Sequence, residues 1–281
     1  TSITLGNSVT SIGYNAFAYC ASLTSITIPD SVTGIGNNTF YKCTSLTSIK
    51  IGNSVLSIGN WTFYNCTSLT SITIPDSVTS IGNNAFQQCS SLTSITLGNS
   101  VSSIGNNAFH LCTSLTSIKI GNSVTGIGSY VFQQCTSLTS IKIGNSVTSI
   151  GEWAFQQCTS LTSITLGNSV KTIGNDAFKG CTSLTSITLG SGMLTAGSGN
   201  NSLNTLFNGT GSTTTQITSA ILPDSITPRV FETFTGLTSV TVGTLIQTKT
   251  LKDILHGSSL NLRQITSVTI PDSVTSIISG A

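Results

Sequence analysis

The side chains able to do acid–base, nucleophilic or metal chemistry are few: eight cysteines, two histidines and eight acids in 281 residues. The cysteines are Cys20, Cys43, Cys66, Cys89, Cys112, Cys135, Cys158 and Cys181, each 23 positions after the last. Structural zinc needs ligands clustered at short spacing, and no Cys here has a CxxC partner or an adjacent His set. Small secreted folds stapled by disulfides have irregular cysteine spacing, which an even column does not resemble. The spacing therefore predicts a column of buried thiols acting as small apolar residues. Bridges between adjacent coils are also allowed on distance, because neighbouring strands lie about 5 Å apart. His110 stands where other units carry Gln87, Gln133 and Gln156, so it reads as a surface substitution. His256 follows Asp253 by three residues, but serine is so frequent that any Ser–His–Asp match is uninformative. Asp30, Asp76, Asp176, Asp224 and Asp272 fall at turn or surface positions. No phosphate loop, dinucleotide fingerprint or zinc signature occurs. The expectation is no enzyme, no cofactor and no metal.

Binding chemistry is better represented. Every Tyr and Trp falls in a position that varies between units: Tyr14 and Tyr19 flank the first unit, Tyr41 and Tyr64 share one column, and Trp61, Tyr130 and Trp153 share another. Exposed Tyr and Trp are enriched at contact surfaces, and stacked rings suit sugars or protein grooves. The alternative is that neighbouring rings only cover one another along the stack. A third variable column reads Thr4, Thr27, Lys50, Thr73, Thr96, Lys119, Lys142, Thr165 and Thr188. It runs beside an unbroken column of serines, giving a hydroxyl face interrupted by three lysines. Such a face serves either solubility or a polar ligand.

Charge and hydropathy exclude other partners. Charged residues make up 6% of the chain and the net charge is +2, so there is no basic field for nucleic acid. Mean hydropathy is +0.30, yet no apolar run approaches the roughly 18 residues of a membrane span. A third of the residues are Ser or Thr. Five Asn-x-Ser/Thr sequons, at Asn37, Asn60, Asn65, Asn200 and Asn208, permit glycosylation without arguing for it.

The element that must position all of these is a repeat of 23 residues. A typical unit from Cys66 reads CTSLTSITIPDSVTSIGNNAFQQ, with Leu69, Ile72, Ile74, Val78, Ile81, Ala85 and Phe86 as its fixed apolar positions. The alternation in LTSITI predicts a strand with Ile72 and Ile74 inward and Ser71 and Thr73 outward. Pro-Asp or Gly-Asn then makes a turn, Gly and Asn because they tolerate positive φ. A second short extended piece, SVTSI, leads to a glycine column, Gly13 to Gly174, where a side chain would clash. NNAFQQC has room for about one helical turn. No unit of this size buries its apolar set alone, so stacking makes the core.

From residue 190 the register breaks. Ile187, Ala220, Val240 and Val268 occupy comparable settings, but at spacings of 33, 20 and 28. Residues 190–216 read as a Gly/Ser/Thr/Asn-rich inserted loop, and 249–257 as a short amphipathic helix with Leu251, Ile254 and Leu255 on one face. The chain thus divides into a regular solenoid, 1–190, and irregular repeats, 191–281, continuing the same solenoid. It starts mid-unit at TSITL without Met, which reads as a trimmed or processed start.

The pattern LTSITIPDSVTSIGNNAFxxC resembles the leucine-rich repeats of the BspA-like class of microbial surface proteins, closely over 1–190 and more loosely to the end. The resemblance implies a repeat solenoid, mostly β, with a concave parallel sheet and short helical turns on the convex side. It also implies a surface-exposed, extracellular recognition or adhesion module for protein or glycan partners. The columns at Tyr14, Tyr19, Tyr41, Tyr64, Trp61, Tyr130, Trp153, Lys50, Lys119 and Lys142 are the candidate contacts. A structural role in a surface layer, appendage or virion, with self-association through open solenoid edges, is the alternative. Ice binding by the Ser-x-Thr array is a remote third, weakened by the three lysines.

Overall fold

The computed structural model describes residues 1–191, 217–221, 237–241 and 265–270. Within them each unit forms one coil of a parallel β-solenoid. A three-residue strand such as Ser71–Thr73 lies on the concave side, and a two-residue strand such as Ser80–Ile81 follows after the turn. Successive coils pair in parallel without slippage: Ile3 sits opposite Ile26, Ile26 opposite Ile49, and Ile72 opposite Ile95. Register is fixed because a one-residue slip would turn every isoleucine out to solvent. Parallel sheets are ordinarily covered on both faces. Here one face is bare, which is why the strands alternate: Ile72 is 5% exposed while Ser71 and Thr73 face solvent.

The concave ladder is interrupted between the coils of Lys50 and Thr73, and thins to the single Lys119–Lys142 bridge between the coils of those two lysines. Beyond the regular coils it resumes despite the altered spacings. Ile187 pairs with Ala220, Ala220 with Val240, and Val240 with Val268. The inserted loop after Ser191, the 249–257 helix and His256 lie outside the described residues.

The convex segment differs from the expected helical turn. No helix forms there among the described residues, and the backbone shows why. In NNAFQQC, Asn84 and Gln88 adopt left-handed φ values of 59° and 62°. A helix cannot continue through either residue. Asn84, Phe86 and Gln88 instead donate their N–H groups to the carbonyls of Asn106, Ala108 and His110 in the next coil, while Gln87 and Cys89 close tight turns on Asn84 and Phe86. The backbone thus alternates between holding its own turn and holding its neighbour, satisfying donors that would otherwise be orphaned.

Inside, the phenylalanines from Phe17 to Phe178 form one continuous stack. Ring centroids are 5.1–5.5 Å apart and planes lie within 15° of each other. Each fully buried ring contributes about 2–3 kcal/mol by area removed from water. The expected glycine constraint holds for the column before the convex turn. A Cβ on Gly82 would lie 2.7 Å from Asn60 N and from Gly59 C of the preceding coil. The turn glycines need a different reason from the expected positive φ: Gly98 has no positive φ, and its Cβ would run into the carbonyl of Pro75. Close coil-to-coil approach excludes the side chain at Gly82 and at Gly98, although the turn column itself accepts Pro29 and Pro75 in other coils.

Candidate recognition surfaces

The cysteine column is a core element with a specific geometry. All eight thiols are free, and all but Cys20 are buried. Each buried thiol from Cys43 to Cys181 donates to the carbonyl of the Phe 26 residues earlier, as Cys89 does to Phe63 at 3.1 Å and Cys112 to Phe86 at 3.2 Å. Burial pushes the Cys43 thiol up to about 11 and those of Cys89 and Cys135 up to about 12. Burial, reinforced by neighbouring thiols, also raises Cys66, Cys112 and Cys158 well above the ordinary value. Burial and these raised pKa values disfavour the thiolate, the form that acts as nucleophile or metal ligand, at Cys43, Cys66, Cys89, Cys112, Cys135 and Cys158. No group of three or more His, Cys, Asp or Glu is placed to hold a metal ion among the described residues. His110 bonds through Nδ1 to Gln87 Nε2 at 2.9 Å, and burial lowers its pKa.

The aromatic side chains fall into two groups on the convex side. Tyr14, Tyr19, Tyr41, Trp61 and Tyr64 form one cluster across the first three coils. Tyr41 and Tyr64 stack at 4.8 Å, Trp61 meets Tyr64 edge-on at 5.0 Å, and Tyr19 meets Tyr41 edge-on at 5.4 Å. The Lys42 ammonium lies 5.5 Å from the Tyr41 ring and 5.8 Å from that of Tyr19, within cation–π range. Three of the rings remain open: Tyr14 is 65%, Tyr19 67% and Trp61 36% exposed. Tyr130 and Trp153 form the second group. They stack on each other at 4.8 Å and are half-buried, and Trp153 Nε1 donates to Asp176, which also pairs with Lys179. This pair satisfies itself; the first cluster does not.

The backbone beneath the rings was not legible in residue types alone. Trp61, Tyr130 and Trp153 occupy the left-handed position, at φ 59°, 61° and 53°, that Asn15, Asn38, Asn84 and Asn107 fill in other coils; Tyr19, at 61°, occupies the second left-handed column. Asn tolerates this conformation, whereas a bulky ring there is an outlier costing about 1–2 kcal/mol. The signal was present: three aromatics stand in a column otherwise filled by Asn or Asp. Asn15 and Asn38, not foreseen as contacts, line a hollow of about 310 Å3 together with Tyr14, Tyr19, Tyr41 and Trp61.

Lys50, Lys119 and Lys142 project from the concave face, away from the rings, and are exposed. Lys119 and Lys142 are directly paired across adjacent coils. Neither makes an ion pair among the described residues, where Lys179–Asp176 is the sole one. The trough around them has a volume of about 380 Å3 and is lined by Asn99, Asn122 and Asn145. Two sequons are closed by the fold: Thr39 and Thr62 are buried and donate to Gly36 and Gly59 carbonyls, while Asn37 and Asn60 accept from the next coil. No described helix is long and apolar enough to cross a membrane.

The chain is similar in structure to a leucine-rich repeat protein from Bacteroides ovatus, at 27% identity and a TM-score of 0.65, covering 97% of this chain and 70% of that one. A Treponema (T. pallidum) leucine-rich repeat protein matches at 27% identity and TM-score 0.48, over 65% of this chain and 77% of that one. A leucine rich cell surface protein from Faecalibacterium prausnitzii matches at 24% and 0.42, over 97% and 88%. No curated protein matches. The BspA type leucine-rich repeat region matches residues 1–114, 102–200 and 199–281, in six copies. With the whole length matched, the coil geometry and its 23-residue registers have one assignment: this chain belongs to the BspA-type leucine-rich repeat family.

Proposed function

We propose that this protein is a non-enzymatic recognition module displayed at a cell surface, and that its partner, a protein or a glycan, meets the aromatic cluster of the first three coils. The supporting observation is that Trp61 and Tyr19 are held open to solvent at backbone positions that disfavour them. Every regular coil holds left-handed residues in these two columns, so the conformation belongs to the stack; what sets Trp61 and Tyr19 apart is a bulky ring left open to solvent there. The Phe and Cys columns of the core are complete without these rings. The concave lysines form a second contact face. Surface display follows from what the family resemblance implies.

The test is adhesion of the purified chain to immobilised matrix proteins and glycans. Tyr41→Ala with Tyr64→Ala, and separately Lys119→Thr with Lys142→Thr, are compared with wild type at matched circular dichroism. Loss of binding in the first variant supports the aromatic face, and loss in the second the concave one. Unchanged binding in both would overturn the reading, and ordered lattices under the electron microscope would replace it with a structural role.

A further inference from the structure

We infer that the hollow between Tyr14, Tyr19, Trp61 and Asn38 is a binding site for a neutral sugar, a hexose unit at the end or along the chain of a glycan. The inference rests on the recognition reading above and narrows its partner from protein or glycan to one chemical class.

Four observations carry it. The lining is only Tyr, Trp and Asn. No aliphatic side chain is present to receive a leucine or methionine anchor, which a protein partner would bring. Ring faces alternate with amides and phenolic hydroxyls. A pyranose presents the matching surface, a patch of C–H groups that packs on an electron-rich ring face and a rim of hydroxyls that needs donors and acceptors. The volume, about 310 Å3, is at the small end for ligand pockets and suits one sugar ring better than a protein surface element.

The second observation is an unmet hydrogen bond. Asn38 Nδ2 donates to the Tyr14 hydroxyl at 3.0 Å, but Asn38 Oδ1 is buried with no partner. A buried acceptor without a donor is costly and calls for a ligand or water. Tyr14, 65% exposed, is the side chain that holds the Nδ2 end of this amide. A sugar hydroxyl that displaces the Tyr14 contact would accept from Nδ2, and a second hydroxyl of the same ring, donating to Oδ1, would supply the partner that oxygen lacks.

The third is the absence of charge. None of the lining residues is ionic, and the nearest cation, Lys42, is engaged over the Tyr19 and Tyr41 rings. A sulfate, sialic or uronic group would find no cation in the lining itself and would have to draw Lys42 off the Tyr19 and Tyr41 rings, so the site suits neutral sugars.

The fourth is preorganisation. Asn15, Tyr19, Asn38 and Trp61 all have left-handed backbones, with φ between 57° and 61°. Each donates its N–H to the next coil: Asn15 to Asn37, Tyr19 to Tyr41, Asn38 to Asn60 and Trp61 to Asn83. The backbone beneath four of the six lining residues is therefore fixed before a ligand arrives, which removes part of the ordering cost of a weak sugar contact.

The test uses the full chain on an array of oligosaccharides terminating in glucose, galactose, mannose, N-acetylglucosamine and N-acetylgalactosamine, with sialylated and sulfated chains beside them. The best neutral hit is then titrated by intrinsic tryptophan fluorescence and calorimetry. Trp61→Asn installs the residue that the column itself uses, and Asn38→Gly keeps the left-handed backbone, so both variants retain the coil. Each is expected to weaken binding about tenfold, while Trp153→Asn leaves it within about twofold. Binding of neutral glycans that ignores Trp61→Asn and Asn38→Gly overturns the site. Binding confined to acidic glycans and lost with Lys119→Thr/Lys142→Thr overturns the inference but leaves the recognition reading standing. So does the absence of all glycan binding while Tyr41→Ala/Tyr64→Ala abolishes adhesion to a matrix protein. Failure of every probe overturns both.

Discussion

The cysteine column makes the fold sensitive to alkali, and the size of the effect follows from the structure. Cys89 and Cys135 ionise near 9 when exposed and near 12 in the fold, because burial disfavours the thiolate. A folded pKa raised above the unfolded one means that the unfolded chain releases its proton first as pH rises. Stability is therefore full below about pH 9 and falls between 9 and 12. At pH 10 the loss is about 1.4 kcal/mol for each such thiol, so about 3 kcal/mol for this pair. Four further thiols, Cys43, Cys66, Cys112 and Cys158, shift in the same direction. The assay is urea unfolding at pH 8 and pH 10 in the presence of a phosphine reductant, comparing wild type with Cys89→Ala/Cys135→Ala. The variant starts less stable but loses about 3 kcal/mol less over the same pH step. An identical alkaline loss in both proteins would refute the argument, since it would mean that these sulfurs are bridged or already ionised.

Native thiol titration with a disulfide reagent should show one fast-reacting cysteine, Cys20, and seven that react only on unfolding; eight fast thiols would mean that the column is not core. Gly82→Ala places a Cβ 2.7 Å from Asn60 N and should destabilise the protein by about 1–3 kcal/mol, read as a lower thermal midpoint; an unchanged midpoint would show that the coils can move apart. Lys119→Thr/Lys142→Thr removes two like charges placed directly opposite each other and should stabilise the chain by a few tenths of a kcal/mol at low salt, with the gain fading as salt is added; a loss of stability would show that the pair has an unseen partner.

The regular columns were legible because each is set by stacking. Apolar residues at Leu69, Ile72, Ile74, Val78, Ile81, Ala85 and Phe86 of the unit from Cys66 all proved buried, and even the irregular Ala220 and Val240 took their expected partners. The convex turn was misread as helical because a short apolar spacing in NNAFQQC says nothing about Asn84 and Gln88 turning left-handed. Their donors are aimed at another coil, and that is a property of the stack. For the same reason Tyr and Trp could be placed on the surface but not sorted. Trp153 finds Tyr130 and Asp176, whereas Trp61 shares its left-handed position yet stays open beside the half-satisfied Asn38. An unpartnered Oδ1 belongs to three-dimensional neighbours that no spacing rule reports.

In the function proposed above, the repeat is scaffold and recognition resides where the first three coils depart from it. The most direct measurement replaces those departures with the residues the columns use elsewhere: Tyr14→Asn, Tyr19→Gln, Tyr41→Gln, Trp61→Asn and Tyr64→Gln in one chain. Its binding to immobilised neutral glycans and matrix proteins is then compared with wild type, alongside the thermal midpoint. The account predicts a folded solenoid that no longer binds. A levelled chain that binds as tightly as wild type would contradict it.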